Sequence, residues 1–580
     1  MNLNKIYLLR FGGDMEIESL RIKGFRNFKD AFIRFNGDTL VIGANDVGKS
    51  NMLHALRILL DKSLSEDDIE PSELDFHLMP KKVCNNIEIT ISFKSVFEDA
   101  VISVLKGYVD DKGRTFLRYT ANRNDLTYRI FIGHSLQDLE EINSRFYLKY
   151  VNLKYIQSQR DLHRFIQKEK RQLLKLAQQN LTENQKEEDK LVLEEICEDL
   201  KEVNEKISQL FYIEKATEEV NEELKKLSYH HSDYSVKLDS GAIQVTDFIN
   251  SLKLGASTHG NNVLLGGDGR NNQILLALWK AKSIAEHDTN HEVVFYVIEE
   301  PEAHLHPHQQ RKLAKYLIDE LPGQAIISSH SPQIASYFLP DSIIRLLIKS
   351  NSTVAASNGC AQCIKDGWEE MGYRISILPA EAFFSNGVYL VEGPSEMLFY
   401  NDLAKAIGID LDHLNISLLS VDGVAFEVYT QILNALEIPW VMRTDNDVSK
   451  IKGKELWQYT GINRCLRAIG ASGWHHSRVE ITSEHVPKDR RWESFSKMIN
   501  EKGIFISNID LETDLVNSLT KEVLASLNKS NKIEAIDYLQ KKKAIRMRKL
   551  LKGIRNDLGK LKKDALAQPL IYLKELLEKK

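Results

Sequence analysis

The sequence predicts an α/β protein with two parallel-sheet units, the first split by a long helical insert and the second followed by a basic helical region. Three observations carry this. An apolar strand runs into "GANDVGKS" (43–50) and then directly into the helix-forming "NMLHALRIL". Residues 161–227 contain neither Gly nor Pro and are dense in Glu, Lys, Gln and Leu. Beyond residue 385, apolar strands alternate with helical stretches, and two of those strands end on carboxylates.

At 580 residues the chain has room for about two to four domains. Its 43% hydrophobic and 27% charged residues are ordinary for a globular protein. A net charge of −5 does not advertise nucleic-acid binding, so any such surface must be local. No apolar run reaches the roughly eighteen residues of a membrane span, and no signal-peptide layout is present. No membrane association is expected. Five scattered cysteines fit a reducing, cytoplasmic location without disulfides. The lone Cys360-x-x-Cys363 has no second pair and is a weak metal signal.

Residues 1–14 read as an extension, because the patterned start comes at Met15 with "MEIESLRIKGF". Alternating "AFIRF" and the run "TLVIG" continue as strands, giving an N-terminal lobe over 15–160. Over 161–230, apolar positions such as Leu191, Leu193, Ile196 and Leu200 recur at helical spacing. The expectation there is a pair of long antiparallel helices, either a surface hairpin or a dimerisation element. A C-terminal lobe follows over 231–350, then a loop-like linker over 351–384. Strands and helices alternate again over 385–515. Residues 516–580 are helical and become basic, with eleven Lys or Arg against Asp557 alone between Lys541 and Lys563. That region reads as a solvated helical face or, if a nuclease site shares its domain, as a footprint on a DNA backbone.

The first candidate site is a phosphate loop. Gly43, Asn45, Gly48, Lys49 and Ser50 sit between strand and helix, where backbone N–H groups cradle phosphates. Lys49 would neutralise the β/γ charge and Ser50 would ligate Mg²⁺. Downstream, "VVFYVIEEPEAHLHP" is a strand ending in Glu299, expected to support Mg²⁺, and Glu300, expected to polarise the attacking water. "AIISSHSP" ends on His330, at the place of a γ-phosphate sensor. His304 and His306 lack the further ligands that a zinc site needs.

These motifs resemble the split ABC-type ATPase heads of the RecF and SMC kind, in which a helical insert separates the two nucleotide motifs. The resemblance implies a signature loop supplied in trans, here "LGGDGRNNQILLAL" with Gly267 and Gly269. It departs from that pattern in lacking the serine before the glycines, and Glu299 replaces the commoner aspartate.

The second candidate site is acidic. "VYLVEGPSE" ends a strand on Glu392, and "WVMRTDND" ends another on Asp445 and Asp447, whose spacing puts both carboxylates on one face. Neighbouring parallel strands would bring the three together at their carboxyl ends. With few basic residues in these strand ends, Mg²⁺ or Mn²⁺ is the expected counter-charge.

"VEGPSE", "SVDG" and "RTDND" in that order resemble the Toprim domain, and a Toprim behind an ABC-type head resembles the OLD (overcoming lysogenization defect) family of nucleases. The resemblance implies a two-metal DNA endonuclease. It makes Glu396, Asp510 and Glu512 candidate further ligands, and one lysine of Lys541–Lys543, with Lys542 or Lys543 favoured, a stabiliser of phosphate charge. Within that family the chain is most similar to the nuclease subunits of Gabija anti-phage systems. This implies a homodimer or homotetramer, a UvrD-like helicase partner, and a nuclease restrained by ATP at the head. The alternative is a clamp or repair ATPase of the SMC kind with an inactive Toprim.

Overall fold

A computed structural model describes residues 15–79, 82–156, 162–227, 292–303, 305–321, 323–359, 380–421 and 426–579. It also describes positions 249, 252, 255–258, 261–264, 274, 277, 278 and 281. Residues 1–14, Gly267, Gly269, His304, Cys360 and Cys363 lie outside that set.

Chain order builds the ATPase head from two sheets. β1 (Glu16–Phe25) and β2 (Phe28–Arg34) form a hairpin, and β3 (Thr39–Ile42) leads through the 43–48 loop into helix α1 (Lys49–Leu60). β4 (Asn86–Lys94), β5 (Thr115–Asn122), β6 (Tyr128–Ser135) and β7 (Asp138–Ile142) extend the hairpin into an antiparallel sheet of order β2-β1-β4-β5-β6-β7. One face of that sheet is core and the other is open, so β5 alternates buried and half-buried residues along its whole length.

β8 (Val151–Ile156) opens the second sheet, and three helices then follow: α2 (Leu162–Gln179), α3 (Glu183–Ser208) and α4 (Phe211–Leu227). The expected pair is thus a trio. Thr182 ends α2's connection with a capping box, its hydroxyl accepting from the Gln185 N–H while the Gln185 side chain accepts from the Thr182 N–H at 3.0 Å. On α3 the apolar stripe is unevenly covered, since Leu200 is buried and Leu191 is 65% exposed.

The head closes with β9 (Val293–Glu299), α5 (Pro307–Glu320), β10 (Ala325–Ser328), β11 (Ile343–Lys349) and β12 (Ser352–Ala355). The second sheet has the order β8-β9-β10-β3-β11-β12, parallel except for the β11–β12 edge. Strands buried on both faces read as continuous apolar runs, and "VVFYVI" in β9 is such a run. This order makes β3, β9 and β10, far apart in sequence, near neighbours at one sheet edge.

The third sheet is wholly parallel: β13 (Gly387–Val391), β14 (Ile416–Ser420), β15 (Trp440–Thr444) and β16 (Ile504–Ile506), in the order β14-β13-β15-β16. Its helices are α6 (Pro394–Ala406), α7 (Phe426–Ala435), α8 (Thr460–Ala468), α9 (Trp492–Asn500) and α10 (Leu511–Ser518). The C-terminal helices α11 (Thr520–Leu527), α12 (Lys532–Lys541), α13 (Lys543–Ile554) and α14 (Gln568–Glu578) complete the chain. They share one core with this sheet: Met547, Leu550, Leu558 and Leu570 pack in the same cluster as Tyr389, Phe399 and Val441. The basic region therefore presents only its outer face.

Arg345, half-buried on β11 beside the β3 strand, joins the head to this third sheet. Its guanidinium donates to the carbonyls of Leu436 and Glu437 (3.1 Å each) and of Ser385 (3.3 Å). Ser357 adds a bond to the Ala435 carbonyl (2.8 Å). The gripped turn leads straight into β15, the strand that carries Asp445.

Candidate functional site

The phosphate loop is held from behind. Gly48 is the N-cap of α1 at φ 106°, and a Cβ there would collide with the Asn27 side chain. Asn27 Nδ2 donates to the Val47 carbonyl at 2.8 Å, and the Thr353 hydroxyl donates to the same carbonyl at 2.6 Å. Asn45 is exposed on the loop and Ser50 in the first turn of α1, whereas Lys49 is buried. Lys49 Nζ donates to the carbonyls of Gly43 (3.1 Å) and Ala44 (3.0 Å). Burial lowers its pKa, against the opposing pull of Glu300 and Glu299.

The strand order delivers the carboxylates to this lysine. Glu299 ends β9 buried, and its Oε2 accepts from the Tyr155 hydroxyl at 2.7 Å. Glu300 follows at φ 42°, with its Oε1 3.4 Å from His330 Nε2. Burial, then Lys49, lowers the His330 pKa, which keeps the ring neutral near pH 7. The structure adds a residue that no sequence motif singles out. Glu302 is half-buried, accepts from the Ser329 hydroxyl and the His330 N–H at 2.7 Å each, and leaves Oε2 without a hydrogen-bond partner. Burial raises its pKa. The signal was the third carboxylate of "EEPEAH", but a position past a proline on a loop has no periodicity to place it.

At the third sheet, β13 and β15 are hydrogen-bonded neighbours, so Glu392 and Asp445 meet at the carboxyl edge. Glu392 Oε1 accepts from the Asp445 N–H at 2.8 Å and from the Thr444 hydroxyl. Glu396 turns back to cap α6, its Oε2 accepting from the Gly393 N–H at 3.1 Å and from the Glu392 N–H. Its Oε1 has no partner, and burial followed by the nearby Glu392 pushes its pKa up to about 7. Asp445 is buried, with Oδ1 accepting from the Ser507 hydroxyl at 3.3 Å. Burial, then Glu392 and Glu396, lifts its pKa well above the carboxylate range.

Glu512 is buried, bonded to the Ser395 hydroxyl at 3.1 Å, and its Oε2 is without a hydrogen-bond partner. Asp510 is tied down as the N-cap of α10, to the Thr513 N–H (2.7 Å) and Gln540 Nε2 (2.6 Å). Lys543 answers this charge, with Nζ 3.5 Å from Asp445 Oδ2 and 3.7 Å from Glu512 Oε2. Burial works against its charge, but Glu512 and Asp445 outweigh burial and raise its pKa. Lys542 is exposed at the turn before α13, without an ion pair among the described residues. The structure thus separates the two lysines.

One expectation needs correction. The strand ends are not short of basic groups, because Arg464 reaches in from α8. It is buried, pairs with Glu392 through Nη1, and donates from Nη2 to Asp447 Oδ2 at 2.9 Å. Glu392 and Asp447 are thus arranged around a guanidinium, and no three His, Cys, Asp or Glu among the described residues converge as metal ligands. Arg464 lies on a helix with no motif around it, so only packing reveals it. The donor chemistry still fits a hard divalent cation. Two buried carboxylate oxygens lack hydrogen-bond partners, on Glu396 and Glu512, and burial followed by neighbouring negative charge pushes the pKa of the Glu396 and Asp445 carboxyl groups upward.

Comparison with known proteins agrees with this architecture. Residues 15–335, more than half of the chain, match the "AAA ATPase domain" family, and the chain belongs to it. Residues 383–447 match the "Overcoming lysogenization defect protein-like, TOPRIM domain" family, and this match together with the relatives below supports an OLD-family nuclease. It resembles the protein named endonuclease GajA from Bacillus cereus (strain VD045), at 26% identity over 93% of this chain and 96% of that one. It is also similar to the OLD nuclease of Thermus scotoductus, at 23% identity over 74% of this chain and 82% of the relative. The Old nuclease of Escherichia phage P2 matches at 29% identity over 38% of this chain and 41% of its own.

Proposed function

We propose that this OLD-family nuclease is an ATP-regulated, divalent-metal-dependent DNA endonuclease of an anti-phage defence system, similar in kind to its relative endonuclease GajA. The observation that carries the reading is the meeting of Glu392, Asp445, Asp447 and Glu512 with Lys543 and Arg464 at one sheet edge. Glu392, Asp445, Asp447 and Glu512, with Asp510 beside them, would hold Mg²⁺ or Mn²⁺, which supplies a Lewis acid and an activated water for phosphodiester hydrolysis. Lys543 is placed to neutralise charge developing on the phosphate, and Arg464 holds Glu392 and Asp447 in register. At the head, Lys49 and the loop would bind ATP, with Glu299 and Ser50 toward Mg²⁺ and Glu300 and His330 toward the γ-phosphate. Assembly as a homodimer or homotetramer, and work alongside a UvrD-like helicase, extend the proposal. No helix among the described residues is long and apolar enough to cross a membrane.

The test is nicking of supercoiled plasmid by the purified chain in Mg²⁺ or Mn²⁺, with and without ATP. Cleavage lost in Asp445→Ala and suppressed by ATP supports the reading. Absence of cleavage under every metal and nucleotide condition, with a UvrD-like helicase added, overturns it.

A further inference from the structure

Between Asp447 and β16 the chain makes a long excursion, and its charge runs against that of the molecule. Residues 449–491 hold nine Lys or Arg against four Asp or Glu, in a chain of net charge −5. Two of the acids are already neutralised at close range: Glu455 by Lys450 and Asp489 by Arg491, each at 2.7 Å. Lys452, Lys454, Arg467, Arg478, Lys488 and Arg490 are all exposed and have no ion pair among the described residues. These exposed cations lack opposing charge on their own segment, and an anionic partner would supply it.

The excursion is also built to hold still. Trp457 and Ser477 exchange both backbone hydrogen bonds at 2.8 Å. Trp474 packs against Tyr459 and Phe495, with ring centroids 5.2 and 5.5 Å apart, and the Arg491 guanidinium lies 3.8 Å over its ring. Two bonds fasten it to the carboxylate cluster: the Gly461 N–H to the Asp447 carbonyl at 2.9 Å, and Asn446 Nδ2 to the Ser483 carbonyl at 3.2 Å. Among its large apolar side chains only Val479, 74% exposed, projects strongly into solvent. That composition suits a polyanion better than a protein face, which would offer aromatic and aliphatic anchors.

We propose that residues 449–491 form a basic rim that grips the phosphate backbone of duplex DNA beside the Asp447 edge of the carboxylate cluster. This rests on the reading of DNA as substrate. It assigns a contact surface separate from the basic face of 541–563, which adjoins the cluster at Lys543. A duplex crossing the cluster would meet cations on both sides, which orients the strand over the carboxylates without reading its sequence.

The test uses the full chain and a fluorescently labelled duplex of about two helical turns, with binding followed by anisotropy in Ca²⁺ over a range of salt concentrations. The variant is Lys452→Glu, Lys454→Glu, Arg478→Glu and Lys488→Glu combined. The expected result is at least about tenfold weaker binding at low salt and a salt slope shallower by about 0.9 for each phosphate that is no longer neutralised, with an unchanged melting temperature. Should the melting temperature fall, the neutral set Lys452→Gln, Lys454→Gln, Arg478→Gln and Lys488→Gln is read instead, with the same direction expected. Affinity and slope equal to those of the parent protein in the folded variant would overturn the rim. Because binding is read without cleavage, an uncut plasmid bears on the nuclease reading alone. A protein that cuts while its variant binds normally bears on the rim alone.

Discussion

Glu299 and Glu392 occupy the same kind of place, the carboxyl end of a buried parallel strand, yet positive charge is supplied differently to each. In the head, Lys49 rests on loop carbonyls, and burial weakens its charge. Glu299 is satisfied by a tyrosine hydroxyl and Glu300 lies beside a histidine. In the third sheet the carboxylates are locked to cations of their own, Arg464 and Lys543, and two of the carboxyl groups, Glu396 and Asp445, lie deep enough to resist ionisation. In the head, Lys49 has no carboxylate within ion-pair distance among the described residues, which on the proposed reading leaves it for a phosphate. The Toprim edge keeps permanent counter-charges around groups that would otherwise repel. One fold rule, strand ends at a crevice, therefore yields a lysine resting on loop carbonyls in one place and a carboxylate cluster with fixed counter-charges in the other.

Four experiments would break or sharpen that contrast. The largest expected effect is on activity: Asp445→Ala should lower plasmid cleavage by about a thousandfold or more while nucleotide binding persists. Lys49→Ala should do the reverse. Loss of both activities in either variant would show that the two sites are not separable. Next, Arg464→Ala leaves Glu392 and Asp447 facing each other without a cation, and should cost about 3 kcal/mol in urea unfolding. A cost below about 0.5 kcal/mol would mean the guanidinium is dispensable as a counter-charge.

The third experiment is pH. His54 on α1 stacks on Phe25, and burial, with Arg26 and Arg57 nearby, pushes its pKa down to about 4. As pH falls through about 6.5 the unfolded chain takes up this proton and the folded chain does not. Stability present above that pH should therefore decline between about 6.5 and 4, by up to about 3 kcal/mol, and His54→Gln should flatten the decline. A profile identical in the variant would remove His54 as the cause. The smallest effect concerns the junction. Arg345→Ala strips donors from three carbonyls, and should cost about 1–2 kcal/mol and weaken nucleotide suppression of cleavage. Unaltered suppression would show that β11 does not carry the coupling.

Much of this was legible because strand-end motifs are local. "GANDVGKS" announces a loop between a strand and a helix, and "VEGPSE" and "RTDND" announce strands that stop on acids. Apolar runs such as "VVFYVI" and "GVYLV" proved to be strands buried on both faces. Arg464, Glu302 and the choice of Lys543 over Lys542 were not legible. Each is a side chain whose partner lies elsewhere in the chain, and no period or spacing records that partner.

The sequence by itself determined the head's sheet, the parallel Toprim sheet and which carboxylates end their strands, because turn chemistry and hydrophobic period act over a few residues. Only the tertiary structure decided which charges face which. It brought Arg464 between Glu392 and Asp447, set Lys543 against Asp445 and Glu512, and turned the inner faces of the basic C-terminal helices into core. The physical reason is that burial and pairing are properties of neighbours in space, and those neighbours come together only when the sheets and helices pack.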